Sequence, residues 1–205
     1  RGATEGKNML DFKNKIKQLK DRNYLINNPT EVLLIKKVFN DVLVWNDFVS
    51  LIDFTSTNNY YSSNVRREAI AEYADEFYIR VADIIDPNTK KSVGNLFPNL
   101  DEVVTFCNEL FEEEIDYAEC YVNFKRNASV KPAHNDQWIA VAWTCVGKIE
   151  WRIYKEPSDK NYDSYITEPG DIIIIPKGVL HSVVPIEPRM SISFGYCSDK
   201  NIVQS

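Results

Sequence analysis

Apolar residues recur at helical spacing through the first half of the chain and at alternate positions through the second, with the change near residue 115. Residues 8–21 read as a polar, Lys-rich helix, and Val32–Phe39 is short and apolar enough for a strand. Asn40 and Asp41 can cap a helix over Val42–Phe54, where Val42, Trp45, Val49 and Ile52 follow the helical repeat. Asn58–Asn64 is a polar loop. A second stripe, Ile70, Tyr73, Phe77, Val81 and Ile84, predicts a helix over Val65–Ile85. It stops at Asp86-Pro87, because proline biases the residue before it out of the helical region. The best-marked helix follows: Asn99 and Glu102 make a capping-box-like start, and Leu100, Val103, Val104, Cys107, Leu110 and Phe111 form one apolar face. The acidic run Glu112–Glu114 reads as its solvated end.

From Asp116 the period becomes two: Ala118, Cys120, Val122 and Phe124 alternate with Glu119, Tyr121, Asn123 and Lys125. Further short strands are predicted over Trp138–Thr144, Lys148–Tyr154, Tyr165–Thr167, Asp171–Ile175, Ser182–Val184 and Met190–Tyr196, separated by Gly147, Pro169-Gly170, Pro176-Lys177-Gly178 and Pro188. So many short strands with frequent turns predict a small sandwich or barrel in an α+β chain. Residues 1–115 are then a mainly helical part packing on a strand-rich core, 116–205, the two forming one structural domain.

Composition narrows the setting. The 205 residues carry 24 basic and 30 acidic side chains, a net charge of −6 that disfavours a nucleic-acid-binding surface, which needs clustered Lys and Arg against phosphates. The one basic cluster, Lys13–Lys20, is outweighed by later acidic helices. No run of eighteen apolar residues and no charged-then-apolar leader occurs, so no membrane association and a cytoplasmic location are expected. Arg1 in place of Met reads as a processed or truncated start. Cys107, Cys120, Cys145 and Cys197 form no C-x-x-C pair and read as buried free thiols.

The chemistry concentrates on the chain's two histidines, His134 and His181. In an extended His134-Asn135-Asp136 segment, positions 134 and 136 point to one face, so an imidazole and a carboxylate can meet on one ion. His181 is presented by a buried strand followed by a Pro-x-Gly turn. Two His and one carboxylate, with the remaining positions open, is the facial triad of non-haem Fe(II) oxygenases. His134, Asp136 and His181 are therefore the candidate metal ligands and catalytic centre.

Residues 170–181, a Gly, five residues, Pro-x-Gly, two residues and a His, resemble the second motif of the cupin superfamily at every named position. With His134-x-Asp136 upstream, residues 116–197 resemble the double-stranded β-helix of the Fe(II)/2-oxoglutarate-dependent oxygenases, in JmjC-like and prolyl-hydroxylase-like form. The resemblance implies a jelly-roll barrel with N-terminal helices packed on its outside, Fe(II) as metal, and 2-oxoglutarate and O₂ as cosubstrates. It also implies a cation for the distal carboxylate of 2-oxoglutarate. The JmjC-like position holds Ile149, a departure, and Lys148 and Arg152 share the face opposite Ile149, Trp151 and Ile153, outside the barrel. Arg189-Met190-Ser191 instead resembles the Arg-x-Ser motif that holds this carboxylate. By strand parity Arg189, Ser191 and Ser193 share a face that can line a polar pocket, opposite Met190, Ile192 and Phe194. Tyr121 and Asn123, on the strand entering the barrel, are further candidates for the cosubstrate, and Trp138 and Trp151 for the substrate mouth.

The expected function is hydroxylation of a C–H bond in a protein side chain or small metabolite. The competing readings are a metal-dependent cupin enzyme that does not use 2-oxoglutarate and a non-catalytic cupin-like binding module. A generic cupin more often has a His-x-His pair with a downstream Glu, where this chain has Asp136. A degenerate module would be expected to have lost a ligand, and none is lost.

Overall fold

The computed structural model describes residues 31–57, 65–67, 77–80, 98–112, 117–128, 132–156 and 161–196, together with Asn14, Lys17, Ile115 and Val130. Among the described residues, ten strands and two longer helices follow in the order β1 (Leu33–Ile35), α1 (Trp45–Thr57), β2 (Val65–Arg67), β3 (Phe77–Arg80), α2 (Pro98–Phe111), β4 (Tyr117–Asn123), β5 (Ile139–Val146), β6 (Ile149–Tyr154), β7 (Tyr162–Thr167), β8 (Ile172–Ile175), β9 (Leu180–Pro185) and β10 (Arg189–Tyr196). A seven-stranded sheet, β1-β8-β5-β10-β4-β3-β2, faces a three-stranded sheet, β7-β6-β9. All described pairings are antiparallel. This is the double-stranded β-helix that the resemblance implies, and it meets the strand pattern's expectation of a small sandwich or barrel.

Alternation divides the large sheet into two environments. Its outer face carries Cys120, Val122, Val141, Trp143, Ile172, Ile174, Met190, Ile192 and Phe194, which pack with Phe48 and Leu51 of α1 and with Leu100, Val103, Phe106, Cys107 and Leu110 of α2. The helices therefore cover the outside of the barrel. The inner face sets Ala140, Ala142, Ile173 and Ile175 against Ile149 and Trp151 of the small sheet.

Several boundaries move, each for a local reason. The first strand stops at Ile35 because Lys37 turns into the left-handed region (φ 50°), its amide donating to Asp171 Oδ1 at 2.9 Å. Helix α1 begins at Trp45, three residues later than expected. The Asp47 carboxylate reaches back to the Val44 amide (2.7 Å) and so makes Val44, not Asn40 or Asp41, the capping position. Helix α2 begins at Pro98, whose fixed φ and missing N–H suit a first helical position, so Asn99 lies inside the helix. Phe124 does not continue the buried Ala118, Cys120 and Val122 row of β4; it lies exposed beyond the strand end with its ring 5.6 Å from Trp45.

One expectation is overturned. Within the helix predicted over Val65–Ile85, the described residues are strands, β2 and β3, which extend the large sheet beyond β4. The first half thus contributes β1, β2 and β3 to the sheet as well as the helices. Of the helix expected at residues 8–21, Asn14 and Lys17 are described, both helical and exposed. The loop Asn58–Asn64 and Cys197 lie outside the described residues.

Candidate metal centre

The two histidines are backbone neighbours. An isolated antiparallel bridge pairs position 134 with position 181, the His134 amide donating to the His181 carbonyl at 2.9 Å and the His181 amide returning to the His134 carbonyl at 2.8 Å. Directly paired residues project to the same side of a sheet, so the imidazole centroids stand 4.5 Å apart. Asp136, two residues along, brings its carboxylate between them: Oδ1 lies 3.9 Å from His134 Nε2 and Oδ2 lies 3.8 Å from His181 Nε2. These separations are too long for hydrogen bonds. The ligand atoms of all three residues nevertheless lie within 4.8 Å of one another, a spacing that one divalent ion can bridge.

Each ring is oriented by the same device. His134 Nδ1 is 2.9 Å from the Pro132 carbonyl and His181 Nδ1 is 3.0 Å from the Val179 carbonyl, in each case two residues back. A carbonyl only accepts, so both rings carry their hydrogen on Nδ1 and direct the Nε2 lone pair toward Asp136. The Asp136 carbonyl accepts the Gly178 amide at 2.8 Å, which ties the carboxylate-bearing segment to the Pro176-Lys177-Gly178 turn. Gly178 has φ +78°, a conformation natural to glycine, and so supplies the turn that presents His181. His181 is buried, whereas His134 and Asp136 are partly open, so the site reaches solvent on their side.

Arg189 and its companions line the same interior. In the β4–β10 register Arg189 opposes Asn123 and Ser191 opposes Tyr121, all on the inner face. Arg189 Nε donates to Asn123 Oδ1 at 2.5 Å, and the guanidinium carbon lies 5.9 Å from the Tyr121 ring centroid. Tyr121 in turn donates to Glu119 Oε2. Arg189, Ser191 and Asn123 are all buried, a costly placement for a cation that requires polar surroundings. Ile149, at the alternative position for the cation, is wholly buried among apolar side chains. Lys148 and Arg152 lie outside, paired with Glu168 (2.7 Å) and Glu150 (2.8 Å).

Three residues around this interior were not among the sequence candidates for the cosubstrate. Thr144 Oγ1 and Thr167 Oγ1 are 2.8 Å apart, and the Trp151 indole N–H donates to Thr167 at 3.1 Å. The Trp151 ring centroid stands 6.3 Å from that of His181. Parity alone places Thr144 inward with Ala140 and Ala142, the signal that was available. Trp138 packs on the inner apolar cluster. The buried thiols take no part: burial pushes that of Cys120 up to about 12, and those of Cys107 and Cys145 rise as well, so all three stay protonated.

No family model matches the chain, and no curated protein does. Solved structures do. The ribosomal oxygenase YcfD of Escherichia coli in complex with cobalt and succinic acid aligns at a TM-score of 0.56 and 18% identity, over 85% of this chain and 50% of that one. The same protein in complex with cobalt and 2-oxoglutarate gives 0.52 and 16%, with the same coverage. OsALKBH1 gives 0.51 and 13%, over 82% of this chain and 98% of that one. The chain thus spans about half the length of YcfD. These likenesses establish the fold, the double-stranded β-helix, into which this chain sets a His-Asp-His cluster spaced for a metal ion.

Proposed function

We propose that the chain is an Fe(II)- and 2-oxoglutarate-dependent oxygenase that hydroxylates a C–H bond of a protein side chain or small metabolite. The observation that carries this reading is the convergence of His134, Asp136 and His181, their Nε2 atoms and carboxylate facing one another with both Nδ1 atoms engaged elsewhere. The donor set fits ferrous iron: two imidazoles and one carboxylate leave positions open for further ligands. A bound ferrous ion would supply the activation of O₂ that couples oxidative decarboxylation of 2-oxoglutarate, to succinate and CO₂, with insertion of one oxygen atom into the C–H bond.

The protein's own contribution is ligation, orientation and exclusion of water. Arg189, steadied by Asn123, offers a fixed cation to the distal carboxylate, with Ser191 beside it on the strand and Tyr121 under the guanidinium. The apolar wall of Ile149, Trp151, Ile173 and Ile175 keeps the interior dry. The net charge of −6 favours a substrate other than nucleic acid, and the free thiols fit a reducing, cytoplasmic compartment. Among the described residues no helix is long and apolar enough to cross a membrane.

The reading is tested by anaerobic titration of the Fe(II)-loaded protein with 2-oxoglutarate. A saturable visible charge-transfer band, absent in His181→Ala, is the expected result. Stoichiometric metal without the band would point to a cupin enzyme independent of 2-oxoglutarate, and no metal at all to a binding module.

A further inference from the structure

The small sheet, in the order β7-β6-β9, ends at β7 in an open edge. The Ile186 amide donates to the Lys148 carbonyl at 2.9 Å, so the even-numbered residues of β6 bond toward β9. Ile149, Trp151 and Ile153 then bond β7 at Thr167, Tyr165 and Asp163. The backbone groups of Tyr162, Ser164 and Ile166 consequently point away from the sheet. Lys36 Nζ, just beyond β1, caps the Ile166 carbonyl at 2.7 Å from that side. Among the described residues no strand takes the N–H and C=O of Tyr162 and Ser164. Natural edges are blunted by proline, lysine or a bulge, whereas Tyr162–Thr167 has none of these and keeps an unbroken register with β6.

A second copy of the chain fits this edge poorly. Antiparallel self-pairing centred on Asp163 sets the two Asp163 side chains directly opposite each other, where like charges repel. Pairing centred on Ser164 needs the Ile166 carbonyl that Lys36 already holds. A strand from another protein meets neither obstacle. On the inner side, Tyr165 is half-buried and packs on the same apolar cluster as Val32 and Leu34, just before and within β1. Asp163, two residues away on that side, is exposed. Residues of an added strand opposite these two form non-hydrogen-bonded pairs, in which side chains stand closest. We propose that β7 docks an extended segment of a protein partner, antiparallel, with an apolar residue opposite Tyr165 and a Lys or Arg two positions later opposite Asp163. Main-chain hydrogen bonds to Tyr162 and Ser164 supply the affinity, and the two side-chain pairs the selectivity. Ile153 pairs with both Asp163 and His181, so the C-terminal end of the docked segment leaves the edge level with the metal ligand. Docking does not depend on the oxygenase reading.

Panning the full chain against phage-displayed random nonapeptides tests the proposal. Enrichment of an apolar-x-Lys/Arg pattern is expected, and the enriched peptides, made synthetically, should slow amide exchange at Tyr162 and Ser164. Methylating the peptide nitrogens that face those two residues should weaken binding about ten-fold or more, while methylating the intervening nitrogens should not. Ser164→Pro should weaken it similarly, because the Ser164 N–H faces away from β6 and the ladder survives its loss. Ser164→Ala, which keeps the N–H, should bind as wild type. Asp163→Lys should exchange the preference for a basic residue for an acidic one. Failure to enrich any peptide, binders that leave exchange at Tyr162 and Ser164 unchanged, or methylation effects that do not alternate overturn the proposal. The alternation is read on the wild-type chain, so a variant that fails to fold does not blunt the test. Affinity should be the same with Fe(II) added and without it, which keeps docking and the metal chemistry separately testable.

Discussion

At the scale of single residues, the centre is a matter of hydrogen placement. Both imidazoles are oriented through Nδ1 by a carbonyl two residues upstream, which fixes the tautomer that a metal needs at Nε2. Arg189→Ala is expected to weaken 2-oxoglutarate binding 10-fold to 100-fold or so while Fe(II) affinity stays near wild type, as parallel metal and keto-acid titrations would show. Loss of both affinities together would remove Arg189 from that role. Arg189→Lys should recover only part of the affinity, because a point charge lacks the guanidinium fork. The clustering of His134, Asp136 and His181 was legible in the sequence because short spacing rules govern it: i and i+2 in an extended segment, and a glycine turn before His181. The inward position of Arg189 was legible by parity. The hydrogen bond between Thr144 and Thr167 was not, since it depends on how one sheet stacks over the other, which no spacing along the chain encodes.

Among the elements, helix α2 shows where the pattern speaks clearly. Leu100, Val103, Cys107 and Leu110 are fully or almost fully buried, as their spacing predicts, and Phe106 joins them, its ring 5.8 Å from Phe39 in an edge-to-face arrangement. Phe106→Ala should cost about 3–5 kcal/mol by the cavity it leaves. Chemical denaturation would measure this, and a loss below about 1 kcal/mol would mean that the helix contributes little to the core. The Val65–Ile85 region shows the opposite. Phe77 and Val81 fit a helical stripe, but Phe77-Tyr78-Ile79 is also a run of aromatic and β-branched residues suited to a strand. Pairing of Phe77–Arg80 with Glu119–Val122 supplies β3 with a ladder along the edge of β4. Long-range pairing of this kind overrides a local period, and nothing within the segment announces it.

For the molecule as a whole, a buried carboxylate fastens the segment after β1 to the barrel. Asp171 accepts Lys36 Nζ (2.7 Å), the Lys37 amide (2.9 Å) and the Glu168 amide (2.8 Å). Against desolvation, which raises it, these donors hold the Asp171 carboxyl below its ordinary value. With the folded value lowered, its contribution is fully present above the unfolded value near about 3.9 and is lost as pH falls through the folded one. Asp171→Asn should therefore cost about 1–2 kcal/mol at neutral pH, with Lys36 half exposed, and flatten the acid limb of the stability profile. Thermal melts from pH 7 to pH 2 would test this, and parallel curves for the two proteins would refute it. The bridge between His134 and His181 has a different reach. Forty-six residues separate these two positions, yet their backbones exchange both amide hydrogen bonds. An ion seated on their side chains would thus be a reversible cross-link, closing a long loop much as a disulfide would.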